Sequence, residues 1–389
     1  MTVRYFNAGA SGDASGSSEA NGFTDLQTAM DAVAAGDTLY LKNGSSRYGA
    51  ASTTITFTVD AGAEVGNTRF EGYGSTPGDG VLFQTATRFN ITGDHSNWLY
   101  IDVDVSGGGN GISYAWNAYV PNCIYYRCKM KSAGISVGTG QEYAVFKPLN
   151  SAVIECSIIG KIGNASSYIY YNNRCVTTRC YIESTSDGVA SVGGYGAVCA
   201  GGHRDVDMRN CIVVEKRGTP GTSHGIYTDG EAVGASYVYH GNTVVGWGGD
   251  GIRFQDGPDT NNPYNVTVSD NILYDLGGYG INNNQGSNSY THAMVANGNA
   301  FGSVTSGQTN NMDMNIGAVT LSGDPFVDQT DFILNTTSGA GALCRGVAGV
   351  PDMKNPALAA TRLSFPSIGA MQPELGGGGG GGGTVGFAL

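Results

Sequence analysis

Charge is scarce in this sequence: Asp, Glu, Lys and Arg make up 13% of its 389 residues, about half the share usual in soluble domains. The 20 basic and 32 acidic side chains leave a net charge of −12. No dense run of Lys or Arg interrupts that acidity, so a nucleic-acid partner is not expected. No apolar run reaches the length that crosses a bilayer, and membrane insertion is not expected either. The N-terminal stretch MTVRYFNAGASGDASG lacks a basic and an apolar signal region, so no secretion signal is expected. A C-x-x-C pair is absent, which leaves a zinc site without support. Few Asn-Gly or Asp-Gly turns join neighbouring strands, which argues against a sandwich or a propeller.

Glycine is abundant instead, at 63 residues, and 40% of the chain is hydrophobic, with 22 Tyr, 13 Phe and 3 Trp. That apolar content excludes disorder. Glycine without a fixed period, mixed with Asn, Thr, Ser and β-branched residues, predicts many short strands joined by tight turns.

Seven short pieces align: YRCKM, IECSI, TRCYI, RNCIV, HGNTV, SDNIL and NGNAF. Their centres are Cys128, Cys156, Cys180, Cys211, Asn242, Asn271 and Asn299, at spacings of 28, 24, 31, 31, 29 and 28. Two positions on, Met130, Ile158, Ile182, Val213, Val244, Leu273 and Phe301 are all apolar, as one face of a strand requires. A second column runs in step through Ile112, Ile135, Ile169, Val198, Ile226, Ile252 and Ile281. A period near 28 with strand chemistry predicts a coil of short strands that cannot bury its own apolar side. Stacked coils, with strands about 4.8 Å apart, bury one column on the next. This is an all-β parallel β-helix, with loops of variable length at its corners. The stacked cysteines are expected as free buried thiols, and the asparagines as a hydrogen-bonded side-chain ladder at a bend.

Four regions follow. Residues 1–44 form an N-terminal cap, in which Thr24 and Gln27 make a capping box and Leu26, Ala29, Met30 and Val33 one helical face. Gly36 stops that helix, and the first strand begins at Thr38. Residues 45–320 form the coils and 321–375 a closing segment. Residues 376–389 form a polyglycine tether, spanning on the order of 15 Å, that ends in the apolar anchor Val385, Phe387 and Leu389.

The cap pattern F-x-x-L-x-x-A-x-x-x-V-x-x-G-D-T-L-Y-L, followed by such coils, resembles right-handed parallel β-helix proteins of the pectate-lyase-like superfamily. DPFVDQTDFILNTTSGAGALCRGV (324–347) and PSIGAMQPE (366–374) are similar to their closing segments. The likeness spans roughly residues 20–374. It implies a right-handed coil, and a superfamily that mixes polysaccharide lyases, glycosidases, phage tailspikes and non-enzymatic virion proteins. The phage members imply a homotrimer.

Two functional readings stand side by side. In the first, the chain is a non-enzymatic phage virion surface protein, made in the host cytoplasm and released by lysis. It would decorate a capsid or project from head or tail, tied to other virion proteins by its tail or side. In the second it is a polysaccharide lyase or glycosidase, or a module that holds a glycan without cutting it. His224 and Asp250 fall on adjacent rungs, followed by Tyr279, with Asp229, Arg253 and Asp256 nearby. A His–Asp pair with an Arg can act as base, orienter and charge clamp. Asp229 and Asp256 can instead form a glycosidase pair. Likeness to the lyases implies calcium held by carboxylates; otherwise no cofactor is expected. Tyr170 and Tyr227 are expected to face outward, as a glycan platform or a subunit interface. A host surface glycan is then a further partner.

Overall fold

The computed structural model describes residues 2–344, apart from 43–53, 59–67, 75–80, 85–87, 105–115, 132–144, 161–167, 186–195, 201–204, 217–220, 230–234, 256–264, 285–293, 313, 329–331 and 336–337. The fold is a right-handed parallel β-helix. Each coil crosses three parallel sheets, here called III, I and II in chain order. Sheet I has twelve strands, from Val3–Phe6 to Met314–Ile316. Sheet II has ten, from Val81–Gln84 to Val319–Thr320, and sheet III ten, from Thr54–Phe57 to Gly307–Asn310.

The first apolar column is in continuous register on sheet II, from Met130 through Ile158, Ile182, Val213, Val244 and Leu273 to Phe301. Every member is buried. The second column lies on sheet III, where Val198, Ile226, Ile252 and Ile281 pair in turn. Ile112 and Ile135 lie outside the described residues. Tyr170, and not Ile169, stands opposite Val198. Both residues are buried, so an apolar column could be drawn through either. The glycine before each isoleucine lets the corner close: a Cβ on Gly280 would stand 2.5 Å from the ring of Phe301, and one on Gly225 2.3 Å from Val244.

The turn from sheet I to sheet II takes two residues in rung after rung. The first is left-handed: Arg127 (φ 52°), Glu155 (56°), Arg179 (55°), Asn210 (53°), Gly241 (66°), Asp270 (58°) and Gly298 (66°). The second is the Cys or Asn of the repeated motif, and these side chains form the expected ladder. Asn271 Oδ1 accepts from the Asn242 backbone N–H at 2.8 Å, and Asn299 Oδ1 from that of Asn271 at 3.0 Å. Each amide also donates one rung back, Asn242 to the Met208 carbonyl and Asn271 to that of Tyr239. The seven cysteines among the described side chains are all buried and unpaired with one another.

The cap differs in detail from its sequence reading. Helix Leu26–Asp31 is capped by Asp25, whose Oδ1 accepts the Thr28 N–H at 2.8 Å. Thr24 does not cap it. Gln27 bonds across to the backbone of Thr56 in the first sheet III strand. Leu26, Ala29, Met30 and Val33 are buried as one face. The first strand is Val3–Phe6, paired parallel to Thr38–Lys42, so the chain enters sheet I before the helix and not after it.

The described residues between Leu321 and Cys344 lie along a side of the rod. Leu321, Phe326, Phe332, Leu334, Ala340 and Cys344 form one apolar cluster with Tyr181, Ile212, Val214, Val245, Ile272 and Ala300. Those six residues belong to sheet II or its entry, so this segment acts as a flap on the outside of that sheet.

Candidate functional site

Loop length marks one face. From strand Ile124–Tyr126 onward sheet I to sheet II takes two residues, whereas the long connections of those rungs, such as 132–145, 185–195 and 256–264, enter or leave sheet III; nearer the cap, 74–80 joins sheet I to sheet II. In coil-stacked proteins such insertions gather on the face that binds. The outward side chains of sheet III read Asn90, Asn117, Lys147 and Tyr171 and, past one further rung, Tyr227, Arg253, Asn282 and Asn310. This column is built from amides, aromatics and two cations.

The predicted His–Asp neighbours meet on this face. His224 begins strand His224–Asp229, Asp250 precedes Ile252–Gln255, and Tyr279 begins the next strand, Tyr279–Asn283. His224 Nδ1 accepts the Asp250 backbone N–H at 2.8 Å and lies 3.4 Å from Asp250 Oδ2. Asp250 Oδ1 accepts the Tyr279 N–H at 2.8 Å, and Oδ2 accepts from Asn282 Nδ2 at 2.8 Å and from Arg253 at 3.4 Å. Arg253 Nη1 stands 3.2 Å from His224 Nε2. His224 and Asp250 are both buried.

This geometry fixes the chemistry. Burial drives the His224 pKa down to about 4; Asp250 pulls it up and Arg253 pushes it down further. The ring is neutral near pH 7. Its one lone pair, on Nδ1, is spent on a backbone N–H, so Nε2 carries the proton. A base needs a free lone pair, and this histidine has none. Asp250 is a cross-rung tie whose oxygens fix the start of the next strand. In this geometry the pair ties neighbouring rungs: His224 receives the Asp250 backbone N–H, and Asp250 the Tyr279 N–H and the Asn282 amide. Asn282, which the sequence reading missed, is part of the tie; its position in the outward column, one rung after Arg253, was the available signal.

The other candidates fall differently. Asp229 ends its strand opposite Gln255 in register. Asp256, Val385, Phe387 and Leu389 lie outside the described residues. Tyr170, expected outside, points inward: its ring stacks on Phe146 at 5.8 Å, and its hydroxyl lies 2.7 Å from Thr177 Oγ1. Tyr227 belongs to the outward column but is covered, its ring roughly parallel to His224 at 6.2 Å. Neither ring offers a face to a ligand. Among the described residues no group of three or more His, Cys, Asp or Glu side chains is placed to hold a metal ion.

A second cluster on the same face went unread in the sequence. The Lys147 ammonium sits over two rings, 5.1 Å from the centroid of Tyr119 and 4.6 Å from that of Tyr171. Asn173 Nδ2 donates to the Tyr119 hydroxyl at 3.1 Å. Tyr119 is 44% exposed, so this ring remains open to a ligand.

Comparison with known proteins speaks to the fold. The crystal structure of pectate lyase Pel9A superposes with a TM-score of 0.56 at 15% identity, covering 96% of this chain and 97% of that one. The architecture is that of a pectate-lyase-like parallel β-helix. No protein-family profile matches the chain, and no curated protein matches it.

Proposed function

We propose that this chain is a non-enzymatic surface protein of a bacteriophage particle, a β-helix rod that turns its loop-lined sheet III outward. The observation that carries the reading is the His224–Asp250–Arg253 cluster, in which the His224 Nδ1 lone pair and both Asp250 oxygens are taken up within the protein. A rod that binds without cutting has no need of a free base. The unpaired thiols support assembly in a reducing cytoplasm, since disulfides form in oxidising compartments. Lys147 and Tyr119 suit a sugar ring on that face: the aromatic ring stacks on it, and the ammonium meets its oxygens. Capsid and tail components are the partners at the other end of the attachment, through residues 376–389 or a side of the rod.

A mass-spectrometric inventory of purified virions tests the assignment. The chain is expected in stoichiometric amount, and its absence from particles that encode it overturns the reading. The whole-length likeness to pectate lyase Pel9A favours a second reading, a lyase acting at the same face with calcium held by carboxylates. Purified protein that releases unsaturated sugar from uronate polymers, and loses this with Asp250→Ala, establishes the lyase. Melting that rises with added calcium points the same way.

A further inference from the structure

We infer that the flap is a lid, which opens off sheet II as one unit while the coils beneath it stay folded. The inference goes beyond the virion reading and stands whether or not that reading does. Rod and flap are held by different forces. Successive rungs under the flap are tied by in-register parallel pairing on each sheet. The flap has a backbone tie at its root, where the Leu321 N–H donates to the Phe301 carbonyl at 2.7 Å. Past that point, among the described residues, its backbone hydrogen bonds run within it: the Asn335 N–H donates to the Pro325 carbonyl at 2.8 Å, and that of Cys344 to Gly341 at 3.1 Å. Its seat on the rod is apolar, with Tyr181, Ile212, Val214, Val245 and Ile272 beneath it and the Phe326 ring edge-on to Tyr274 at 6.1 Å.

The flap coheres, yet no piece of it stands alone. Phe326 and Leu334 pair across an antiparallel hairpin, and Phe326 meets Phe332 edge-on at 5.4 Å. Helix Gly339–Leu343 closes so tightly on that hairpin that a Cβ on Gly341 would stand 2.2 Å from the Pro325 carbonyl oxygen. A lone two-stranded hairpin is marginal in water. A five-residue helix with two glycines and no side-chain cap is too short to sustain itself. Phe332 is also held left-handed, at φ 53°, a strained state for a bulky residue. Burial against sheet II offsets these costs, so loss of that contact unfolds the flap throughout. The coils lose only a cover, because the strands of each rung keep their neighbours. Such a unit belongs to the low end of a protein's range of local stabilities.

Opening uncovers the apolar stripe on sheet II and the Cys344 thiol. In the closed flap Cys344 is fully buried, and burial pushes its pKa up to about 12. Neither access nor a thiolate then permits reaction. Cys128, Cys156, Cys180 and Cys211 lie instead in the interior of the coils, so their thiols report the rod and Cys344 reports the flap.

The experiment is N-ethylmaleimide labelling of the native full chain, read cysteine by cysteine by mass spectrometry beside amide hydrogen exchange. Cys344 is expected to react at least about tenfold faster than Cys128, Cys156, Cys180 and Cys211, with the Asn335 amide losing protection in parallel. Leu334→Asp, a charge at a fully buried flap position, is expected to speed both by a further tenfold or so and leave those coil thiols at the parent's rate. Val327→Asp, at a flap position 62% exposed, is the control and is expected to change neither. Labelling of the parent's Cys344 in step with the coil thiols overturns the proposal. So does an Asn335 amide as protected as the sheet II strands, or a Leu334→Asp chain whose coil thiols speed up as much as Cys344.

Discussion

One corner of the rod is built in two chemistries. Along its N-terminal half the residue after the left-handed turn is cysteine, and along its C-terminal half it is asparagine. Both halves satisfy the same acceptor. Cys156 Sγ reaches the Tyr125 carbonyl one rung back at 3.4 Å and Cys180 Sγ that of Val153 at 3.4 Å; Asn271 Nδ2 reaches the equivalent Tyr239 carbonyl at 2.9 Å. The amides do more, because each Oδ1 also accepts a backbone N–H from the rung before it. The thiol rungs have one weak counterpart, the Cys180 N–H directed at Cys211 Sγ at 3.4 Å. The difference shows what a corner requires: a small buried side chain that donates backward. The second bond is an addition that only an amide supplies.

The contrast can be broken hardest at Asn271. Asn271→Ala leaves the Asn242 N–H and the Tyr239 carbonyl unmet in a dry interior, at about 1–3 kcal/mol each. A loss of about 3–5 kcal/mol in unfolding free energy is expected, read by urea titration with the melting temperature as a second measure. Acid separates the halves in another way. His224 and His240 both lie on rungs where the amide ladder begins, and burial lowers both pKa values, that of His224 to about 4. In the unfolded chain each takes a proton near pH 6.5. Protons therefore favour unfolding, and stability is full above about pH 6.5 and lost as pH falls toward 4. Asp270, pushed up by burial, opposes this at the acid end. His224 is worth on the order of 2–3 kcal/mol across that window, and melting curves of His224→Asn are expected to show a flatter pH dependence.

Cys156→Ala forfeits a weak sulfur donor and a little volume, and about 1 kcal/mol of destabilisation is expected in the same titration. A loss as large as that of Asn271→Ala would show the two chemistries to be equivalent. The smallest effect is expected from Cys211→Asn, which extends the amide ladder by one rung toward the Cys180 N–H. A change within about 1 kcal/mol is expected, with greater amide-exchange protection at Cys180 as the signature.

The column from Met130 to Phe301 was legible in the sequence because interior positions of stacked coils repeat the same constraint, and seven consecutive apolar residues leave one register. The His224–Asp250 adjacency followed from that register. Its chemistry did not, because the hydrogen bond that consumes the His224 lone pair comes from a backbone N–H, which carries no sequence signature. Tyr170 was misplaced because Ile169 and Tyr170 are both buried, and tyrosine's polar tip permits either reading; here the hydroxyl finds Thr177 inside. Asp25 displaced Thr24 as the cap by one position, within the range where neighbouring Thr and Asp compete for the same N–H groups. The flap was legible as a closing segment, but its direction was not. Its signal was the run of outward apolar residues on sheet II, Tyr181, Ile212, Val214, Val245, Ile272 and Ala300, which mark the surface it covers.

The two-residue corner also makes a single coil a removable cassette. Excision of residues 242–270 would join Gly241 to Asn271, so that a left-handed residue again precedes a ladder asparagine. The rung before the splice would meet the rung after it with the same interior columns facing. Rod length is thus a parameter that recombination can reset one rung at a time, while the cap and the flap stay as they are.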